Sequence, residues 1–388
     1  MPGMINDLSV AATLFLRAMG RKLLSKSDPE PDLEKYFSGM QGLLDRAPEG
    51  LIQDYEWLDM QGNRPPWVAS GTNLQVGDEV SCFMAGRVFA SRPLDIWLSP
   101  ALQVWFRVGD GEIFRGAQNG HSFIAKENGA LQFGNYFPND WENLQGERQQ
   151  DDKVYEISSG MVRILIIRWH ESAIQSLREM LSRGDFDGYL KSEIARLEVG
   201  DTTPKGWSYL WNVGRSAIFH HQRSETADDC ILCQTQGDTG ILQKKVDMVL
   251  DETTEISWQW CVDQLPSTLR EDTVPSHDYL SIAVEFDNGR DITYYWSSTL
   301  SIGTGYDCPL PNWQGKEYHV VIRSGKEGLG EWKDERRNLF DDYKEYMGEP
   351  PARVVRVWLI ANSAFQRNKG ECKYANIVLH NKDMLRVL

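Results

Sequence analysis

Several sequence features that would point directly to a function are missing from this chain. No segment holds 18 consecutive apolar residues, which excludes an ordinary membrane-spanning helix. No P-loop, G-x-G-x-x-G, G-x-S-x-G or H-E-x-x-H pattern occurs, which argues against nucleotide hydrolysis, hydride transfer and zinc proteolysis. Lys/Arg-rich patches are missing too, and the formal net charge of -15 disfavours nucleic acid or an anionic membrane as a partner.

Cysteine is also scarce, with six residues in 388. That is too few, at too irregular a spacing, for a disulfide scaffold in a chain of this length. Cys230 and Cys233 form a lone C-x-x-C, but residues three apart on a strand point to opposite faces, so joint metal binding would need a turn there. We expect free, buried thiols.

The N-terminal region has an apolar run, Val10–Leu16, with no basic segment before it and no signal-peptidase-like site after it. We therefore expect a cytoplasmic protein. Apolar spacing predicts a helix over residues 5–25 and a second helix that ends near Pro48. These helices cover a sheet or join copies of the chain into a homo-oligomer. An interfacial anchor is the alternative, because four basic residues follow the apolar run: Arg17, Arg21, Lys22 and Lys26.

From about Trp67 the apolar pattern changes to a period of two, which is typical of strands. The sequence Gly109-Asp110-Gly111 is a strong hairpin signal, and Met161–Trp169 reads as a buried strand. Helical spacing returns over residues 171–199. No regular alternation of strand and helix follows, so a doubly wound parallel sheet is not expected.

These patterns predict a mainly β protein with two jelly-roll or β-sandwich domains, N-terminal helices and a helical connector. The predicted divisions are a helical segment over residues 1–60, a lectin-like β-sandwich over 61–170, the connector over 171–206 and a jelly roll over 207–388.

In the second half, three motifs stand out: Ile256–Val262 with its two tryptophans, His277-Asp278 before a strand, and Gly330–Asn338. On these motifs, residues 207–381 resemble a bacterial jelly-roll family of unknown function. The resemblance implies a sandwich akin to carbohydrate-binding modules and implies no reaction. Where the family usually has an Asp/Asn-rich stretch after a late strand, this chain has Asn362–Asn368 with no acidic residue, which puts an acidic ligand set there in doubt.

The first half more loosely resembles the galactophilic lectin-like sandwich. Trp67, Gly71, Gly77-Asp78 and the segment Gly134–Asn143 carry the likeness. In that family an Asn/Asp-rich loop binds calcium together with a sugar, which implies Asn135, Asp140 and Asn143 as oxygen ligands. Because Asn and Asp also dominate ordinary turns, a metal-free loop is the favoured alternative.

Strand alternation sorts the side chains of the second domain into two faces. Ile256, Trp258 and Trp260 share a core face. We expect the opposite, more polar side of the domain to hold a ligand or simply to face water. The predicted ligand-binding residues are Gln259, Ser281, Tyr295, Trp296 and Arg323.

Candidate acid–base residues lie near that side. Glu285 and Asp287 lie about 7 Å apart along a strand, a separation that glycosidases use for paired carboxylates. His319 joins the same side, and His277 with Asp278 could form a general-base pair or belong to a turn, which we favour. Glu331, Glu335, Arg336 and Arg337 are expected to begin a polar helix.

The sequence thus predicts a two-domain β-sandwich protein that recognises a carbohydrate or a similar small polar or aromatic ligand. Two alternatives remain open at this point. One is an enzyme on the same scaffold, either like a glycoside hydrolase or lyase or a cofactor-independent cyclase or isomerase. The other is an assembly role for the N-terminal helices. No cofactor is required by these hypotheses, and calcium is the one ion that they allow.

Overall fold

The structure is a computed structural model that describes residues 2–24, 29–64, 67–148, 153–222 and 229–388. It confirms a mainly β protein with N-terminal helices. The chain forms two compact units. The first unit is Phe15–Asp201, and the second is Thr202–Leu388 together with the residues up to Leu14.

The helices are short apart from the first. They are α1 (Pro2–Leu23), α2 (Leu33–Leu44), α3 (Pro100–Gln103), α4 (Lys153–Glu156), α5 (Ala173–Ser182), α6 (Tyr189–Val199) and α7 (Leu339–Tyr346). No helix of the described residues is long and apolar enough to cross a membrane. Lys26, one of the four basic residues noted above, lies outside the described residues.

The strands of the first unit are β1 (Ile52–Gln61), β2 (Val68–Leu74), β3 (Glu79–Ser91), β4 (Ile96–Leu98), β5 (Val104–Val108), β6 (Phe114–Arg115), β7 (Gly120–Ile124), β8 (Gly129–Asn135) and β9 (Ser159–Trp169). One sheet has the order β1-β9-β3-β4, with β7 also paired to β3, and the other has the order β2-β8-β5-β6. Alternating apolar residues such as Met84, Phe106 and Ile164 fill the space between the two sheets.

A helical layer covers the outer face of the first of these sheets. Tyr36 of α2, Leu177 of α5 and Leu190 of α6 pack with Phe83 and Leu165 from the sheet. Helices α5 and α6 lie in the segment predicted to connect two domains, and they form part of the first unit. Strand β1 lies within the division predicted as a helical segment (residues 1–60), but after the second helix, whose predicted end is near Pro48.

The strands of the second unit are β10 (Ser208–Tyr209), β11 (Phe219–Gln222), β12 (Cys230–Gln236), β13 (Thr239–Val249), β14 (Glu255–Gln264), β15 (Tyr279–Phe286), β16 (Asp291–Ser297), β17 (Gly305–Asp307), β18 (Glu317–Ser324), β19 (Trp332–Asn338), β20 (Arg353–Asn362), β21 (Lys369–His380) and β22 (Leu385–Val387). A seven-stranded sheet has the order β10-β13-β20-β15-β16-β18-β17. A second sheet has the order β11-β12-β21-β14-β19, with β22 paired to β21.

The core between these two sheets follows the predicted alternation. Trp258 and Trp260 of β14 face Leu280, Ile282 and Val284 of β15, and all five side chains are buried. The opposite side of β15 carries small or polar residues. That opposite side of the seven-stranded sheet positions the site described below.

One local prediction in this unit is wrong. Residues 332–338 form strand β19 rather than the start of a polar helix, and helix α7 begins only at Leu339. The strand pairs with β14 in register, so that Trp258 lies opposite Glu335 and Ser257 opposite Arg336. Strand pairing at the edge of a sheet here overrides the helical preference of a charged segment.

Candidate metal centre

Strand β18 supplies two polar side chains to the outer face of the seven-stranded sheet. Glu317 and His319 are two residues apart, so they point to the same side of the strand. The neighbouring strand β16 is parallel and places Asp291 beside Glu317 and Thr293 beside His319. Both side chains are buried, Glu317 at 3% and His319 at 0% exposure.

Two loops bring further donors to this face. His277 directly follows a 3-10 turn at Val274–Ser276 and is completely buried. Cys308 follows β17, and its backbone N–H donates to the carbonyl of Glu317 at 2.9 Å, which holds the thiol next to that strand. We call His277, Cys308, Glu317 and His319 the donor cluster.

The spacing of the donor cluster suits a tetrahedral metal ion. One ligand atom from each of the four residues lies within 4.8 Å of every other. Cys308 Sγ is 3.5 Å from His277 Nε2, and His319 Nε2 is 3.5 Å from Glu317 Oε2. Zinc bonded to sulfur at about 2.3 Å and to nitrogen or oxygen at about 2.0–2.1 Å separates its tetrahedral ligands by about 3.3–3.6 Å. These two edges therefore already have the length that zinc would impose.

His277 is held in the form that binds a metal. Its Nδ1 lies 2.6 Å from the carbonyl oxygen of Glu271. A carbonyl can only accept, so Nδ1 carries the hydrogen and Nε2 turns its lone pair toward Cys308. Burial, and then the neighbouring His319, lower the pKa of His277 to about 3, which keeps the imidazole neutral.

Glu317 is fixed by hydrogen bonds to one of its two oxygens. Tyr279 donates its hydroxyl to Oε1 at 3.1 Å, and the Thr293 hydroxyl lies 3.0 Å from the same atom. Oε2 is left to face His319. Burial opposes ionisation of Glu317, but the neighbouring imidazole of His319 outweighs burial and lowers the pKa of the carboxyl group.

Asp291 completes the support of Glu317. Its Oδ2 lies 2.9 Å from the Thr293 hydroxyl, which has one hydrogen and cannot donate to both carboxyl groups. Burial and the charge of Glu317 raise the pKa of Asp291 well above its usual range. A protonated Asp291 can donate to the Thr293 hydroxyl, which in turn donates to Glu317, so that one hydroxyl serves both carboxyl groups.

His319 is the least satisfied member of the donor cluster. Neither Nδ1 nor Nε2 has a hydrogen-bond partner, although the side chain is completely buried. The ring stacks on Tyr306 at 5.1 Å and meets the edges of Tyr279 and Tyr295. A buried imidazole needs a partner for at least its protonated nitrogen, so this ring is poised for a ligand.

The predicted catalytic residues divide into two groups. His277 and His319 come together, with ring centroids 4.8 Å apart. Asp278 does not pair with His277, because its carboxylate accepts the backbone N–H groups of Phe365 and Gln366 at 3.0 and 2.6 Å. The predicted general-base pair is therefore wrong, and the favoured turn is present as the 3-10 turn before His277.

The two members of the predicted carboxylate pair, Glu285 and Asp287, lie in different surroundings, and their catalytic role stays a prediction. Both oxygens of Glu285 accept hydrogen bonds of 2.7 Å from Nη1 of Arg356, which lies on the neighbouring strand β20. Strand β15 ends at Phe286, and Asp287 is exposed beyond it. The register with β20 shifts between Glu285 and Phe286, at the end of the strand.

The predicted ligand-binding residues do not form one open surface. Ser281 and Tyr295 lie on the face of the donor cluster, but both have 0% exposure. Gln259 lies on the outer face of the other sheet, bonded to Asp334 and Asn376. Trp296 packs in the core against Trp260.

Arg323 is likewise tied up elsewhere. It is paired with Glu335 from the edge of the other sheet and lies over the Trp296 ring. The groove predicted for a ligand on the seven-stranded sheet is thus filled by the protein itself.

The residues predicted to bind calcium have partners of their own in the first unit. Asn143 Oδ1 accepts from the backbone N–H groups of Gln145 and Glu147, as in an Asx turn. Asp140 accepts the hydroxyl of Tyr155 at 2.7 Å, and the amide of Asn135 donates to the carbonyl of Gly62. The structure therefore gives Asn143 the turn role, and calcium binding stays a prediction.

Two members of the donor cluster were missed in the sequence. Cys308 was taken with the other cysteines as a free, buried thiol, and all six are free and buried. The alternation of apolar residues predicts a strand only over Tyr318–Arg323, one residue after Glu317. The Glu-x-His spacing at 317–319 was the available signal, because it puts a carboxylate and an imidazole on one face of a strand.

Comparisons with known proteins find one family profile that matches the second half of the chain. Residues 205–378, somewhat less than half of the chain, match the profile described as "Protein of unknown function (DUF3047)". The match confirms the resemblance of this half to a family without an assigned function. No curated protein matches the chain.

Solved structures that resemble the chain are β-sandwich proteins. The N-terminal domain of EclA, a PllA-like lectin, is 13% identical, with a TM-score of 0.24 and coverage of 31% of this chain and 99% of that one. The xyloglucanase domain of NopAA, a type three effector from Sinorhizobium fredii in complex with cellobiose, is 10% identical, with a TM-score of 0.31 and coverage of 47% and 96%. The tandem CBM22-1-CBM22-2 domain of Xyn10C from Paenibacillus barcinonensis is 9% identical, with a TM-score of 0.24 and coverage of 87% and 100%. Likeness at this level does not transfer a ligand.

Proposed function

We propose that this protein binds a transition metal ion, zinc by preference, at the donor cluster of its second unit. One thiolate, two imidazoles and one carboxylate are ligands that zinc takes in four-coordinate sites. The thiolate and the carboxylate together carry two negative charges, which a divalent ion balances. Burial and the neighbouring Glu317 raise the pKa of the Cys308 thiol, and a thiol in such a site gives up its proton when the metal binds.

The observation that carries the proposal is the buried imidazole of His319 without a hydrogen-bond partner. Leaving one buried polar atom unpaired costs about 1–3 kcal/mol. A metal at the centre of the donor cluster gives Nε2 its partner. The same ion occupies the space toward which His277 Nε2 and Glu317 Oε2 are already held by their own hydrogen bonds.

Zinc fits better than copper because of the fourth donor. Electron-transfer copper sites combine two histidines and one cysteine with a weak, long axial ligand. Here the fourth donor is the carboxylate of Glu317, which lies 3.5 Å from His319 Nε2 and within 4.8 Å of the other donors. A strong fourth ligand at this distance favours a regular tetrahedron.

Metal content tests the proposal. The full chain, purified without added metal and then equilibrated with zinc, should hold one zinc ion per chain by elemental analysis. Cobalt in place of zinc should give the intense near-ultraviolet absorption of a cobalt–thiolate bond. Cys308→Ala should abolish that absorption, and Cys372→Ala, which removes an equally buried thiol of the core, should leave it unchanged. A chain that binds no zinc, or a cobalt–thiolate band that survives Cys308→Ala, contradicts the proposal.

Carbohydrate recognition is a second candidate function, at a different surface from the one predicted. The open face of the six-stranded sheet carries Gln259 between Asp334 and Asn376, with hydrogen bonds of 2.7 Å on both sides. Trp332 lies two residues before Asp334 on the same edge strand, and its side chain is 40% exposed. An exposed indole beside a row of amide and carboxylate groups is suited to stacking on a sugar ring and bonding its hydroxyls.

A glycan array with the full chain tests this second candidate. Trp332→Ala should abolish any binding, and Trp211→Ala, which removes an indole of similar exposure (37%), should not. Binding that depends on Trp211 or on neither residue would exclude the Trp332 face. Because metal content and glycan binding are measured separately, the two functions stand or fall independently.

A further inference from the structure

The four donors come from two different kinds of structure. Glu317 and His319 belong to strand β18, in the body of the seven-stranded sheet. His277 and Cys308 belong to two segments outside the body of the sheet, residues 265–278 and residues 298–316, and the second of these includes the short edge strand β17. We call them the covering segments. A metal bound by all four residues would therefore link both covering segments to the sheet and to each other.

Besides the backbone pairing of β17 with β18, the covering segments are held in place by hydrogen bonds that water could replace. Glu271 accepts the hydroxyl of Ser297 at 2.6 Å and the backbone N–H of Ser298 at 2.7 Å. The hydroxyl of Ser298 donates to the carbonyl of Leu269. Apolar contacts add to these, but Leu300 and Trp313 are only partly buried where they pack on the sheet.

The metal-free cluster is unfavourable when closed, because the His319 ring is completely buried and neither of its nitrogens has a hydrogen-bond partner. A buried polar atom without a partner is costly, and lifting a covering segment would let water reach it. Without metal, the closed arrangement also loses the links between the covering segments and the sheet.

We infer that the metal is a closed structural centre that fastens the covering segments over the sheet, and that its removal lets them open. This inference rests on the proposed metal site and deepens it. All four donors are between 0% and 3% exposed, so no ligand position faces solvent, as is typical of structural rather than catalytic zinc. Opening would expose the tyrosine-lined face around His319, where Tyr279, Tyr295 and Tyr306 meet.

Hydrogen–deuterium exchange of the full chain, with and without zinc, tests the inference. Amides in the covering segments should exchange about 100-fold more slowly when free zinc is about 100 times its Kd, since a bound ligand suppresses opening in that proportion. Amides of β12 and β21, which pair with each other away from the cluster, should change little. Cys308→Ala should remove the zinc effect, and Cys372→Ala should keep it.

The possible outcomes separate the two claims. If elemental analysis finds no zinc, the metal site itself is wrong. If one zinc binds but exchange in the covering segments is unchanged, or all strands are protected equally, the site stands and the fastening role is overturned. If Cys308→Ala fails to fold, the wild-type comparison with and without zinc still decides, because it needs no variant.

Discussion

The hydroxyl of Thr293 gives the sharpest mutational prediction. It is the only group described between Asp291 and Glu317, at 2.9 and 3.0 Å from their oxygens, and the residue has 0% exposure. Thr293→Val keeps the shape of the side chain and removes the hydroxyl. Glu317 then loses one of two donors to Oε1, and Asp291 loses the partner for its acid hydrogen.

The expected effect on zinc affinity follows from the role of groups that hydrogen-bond to a metal-binding side chain and hold it in position. Removing such a partner typically weakens metal binding about 10–100-fold. This corresponds to about 1.4–2.7 kcal/mol. Independently of metal, leaving Asp291 without a partner should lower the free energy of unfolding by about 1–3 kcal/mol.

Zinc affinity is measured by competition with a chromophoric chelator, and unfolding by urea titration of the metal-free chain. Thr254→Val is the matched control, because Thr254 is a fully buried threonine of the same unit whose hydroxyl bonds to Val249 and Asp251, outside the donor cluster. It should lower stability without changing zinc affinity. Equal zinc affinity in the wild type and Thr293→Val would refute the reasoning.

Glu285→Gln should leave zinc content unchanged and lower the free energy of unfolding by less than about 1 kcal/mol, because the glutamine can still bond Arg356 in this partly exposed pair. A loss of zinc would contradict this expectation. Asn143→Ala should lower the free energy of unfolding by about 1 kcal/mol, because the side chain that holds the turn is lost. The melting temperature of the wild-type chain should not respond to calcium. A calcium-dependent rise that Asn143→Ala abolishes would instead support the predicted calcium site. Deleting helix α1 (Pro2–Leu23) should convert an oligomer to a monomer in light scattering, because Leu16 and Leu23 of this helix are 66% and 80% exposed. A monomeric wild type would exclude assembly through α1.

The period-two pattern was sufficient to predict the sandwich. It placed Leu280, Ile282 and Val284 in the core with Trp258 and Trp260, as the structure has them. It also separated Cys230 from Cys233, since residues three apart on β12 lie on opposite faces. These features depend on neighbours along one strand, which the sequence displays directly.

The metal centre could be predicted only in part, because half of it comes from loops. His319 was recognised on its strand, and His277 was noted before β15. Their meeting with Cys308 depends on how the covering segments fold back over the sheet, and periodicity carries no information about that path. The same segments bury Tyr295 and Ser281, which strand alternation alone placed on a surface free to meet a ligand.

A bulge explains why Arg323 does not lie on the predicted ligand-binding face. A shift between Tyr295 and Trp296 turns Arg323 toward Trp296 and Glu335, away from His319. Trp296 alternates with Tyr295 and so belongs to the core, a conclusion that strict alternation could have supplied. Single-residue irregularities of this kind change which face a side chain joins, and one sequence does not reveal them.

The most direct test of the metal centre is an anomalous difference map from crystals of the zinc-loaded chain, recorded at the zinc absorption edge. We expect one peak in the second unit, about 2.3 Å from Cys308 Sγ and about 2.0–2.2 Å from the ligand atoms of His277, Glu317 and His319. A zinc-loaded crystal with no peak between these four side chains, or with its peak at other residues, would contradict the assignment.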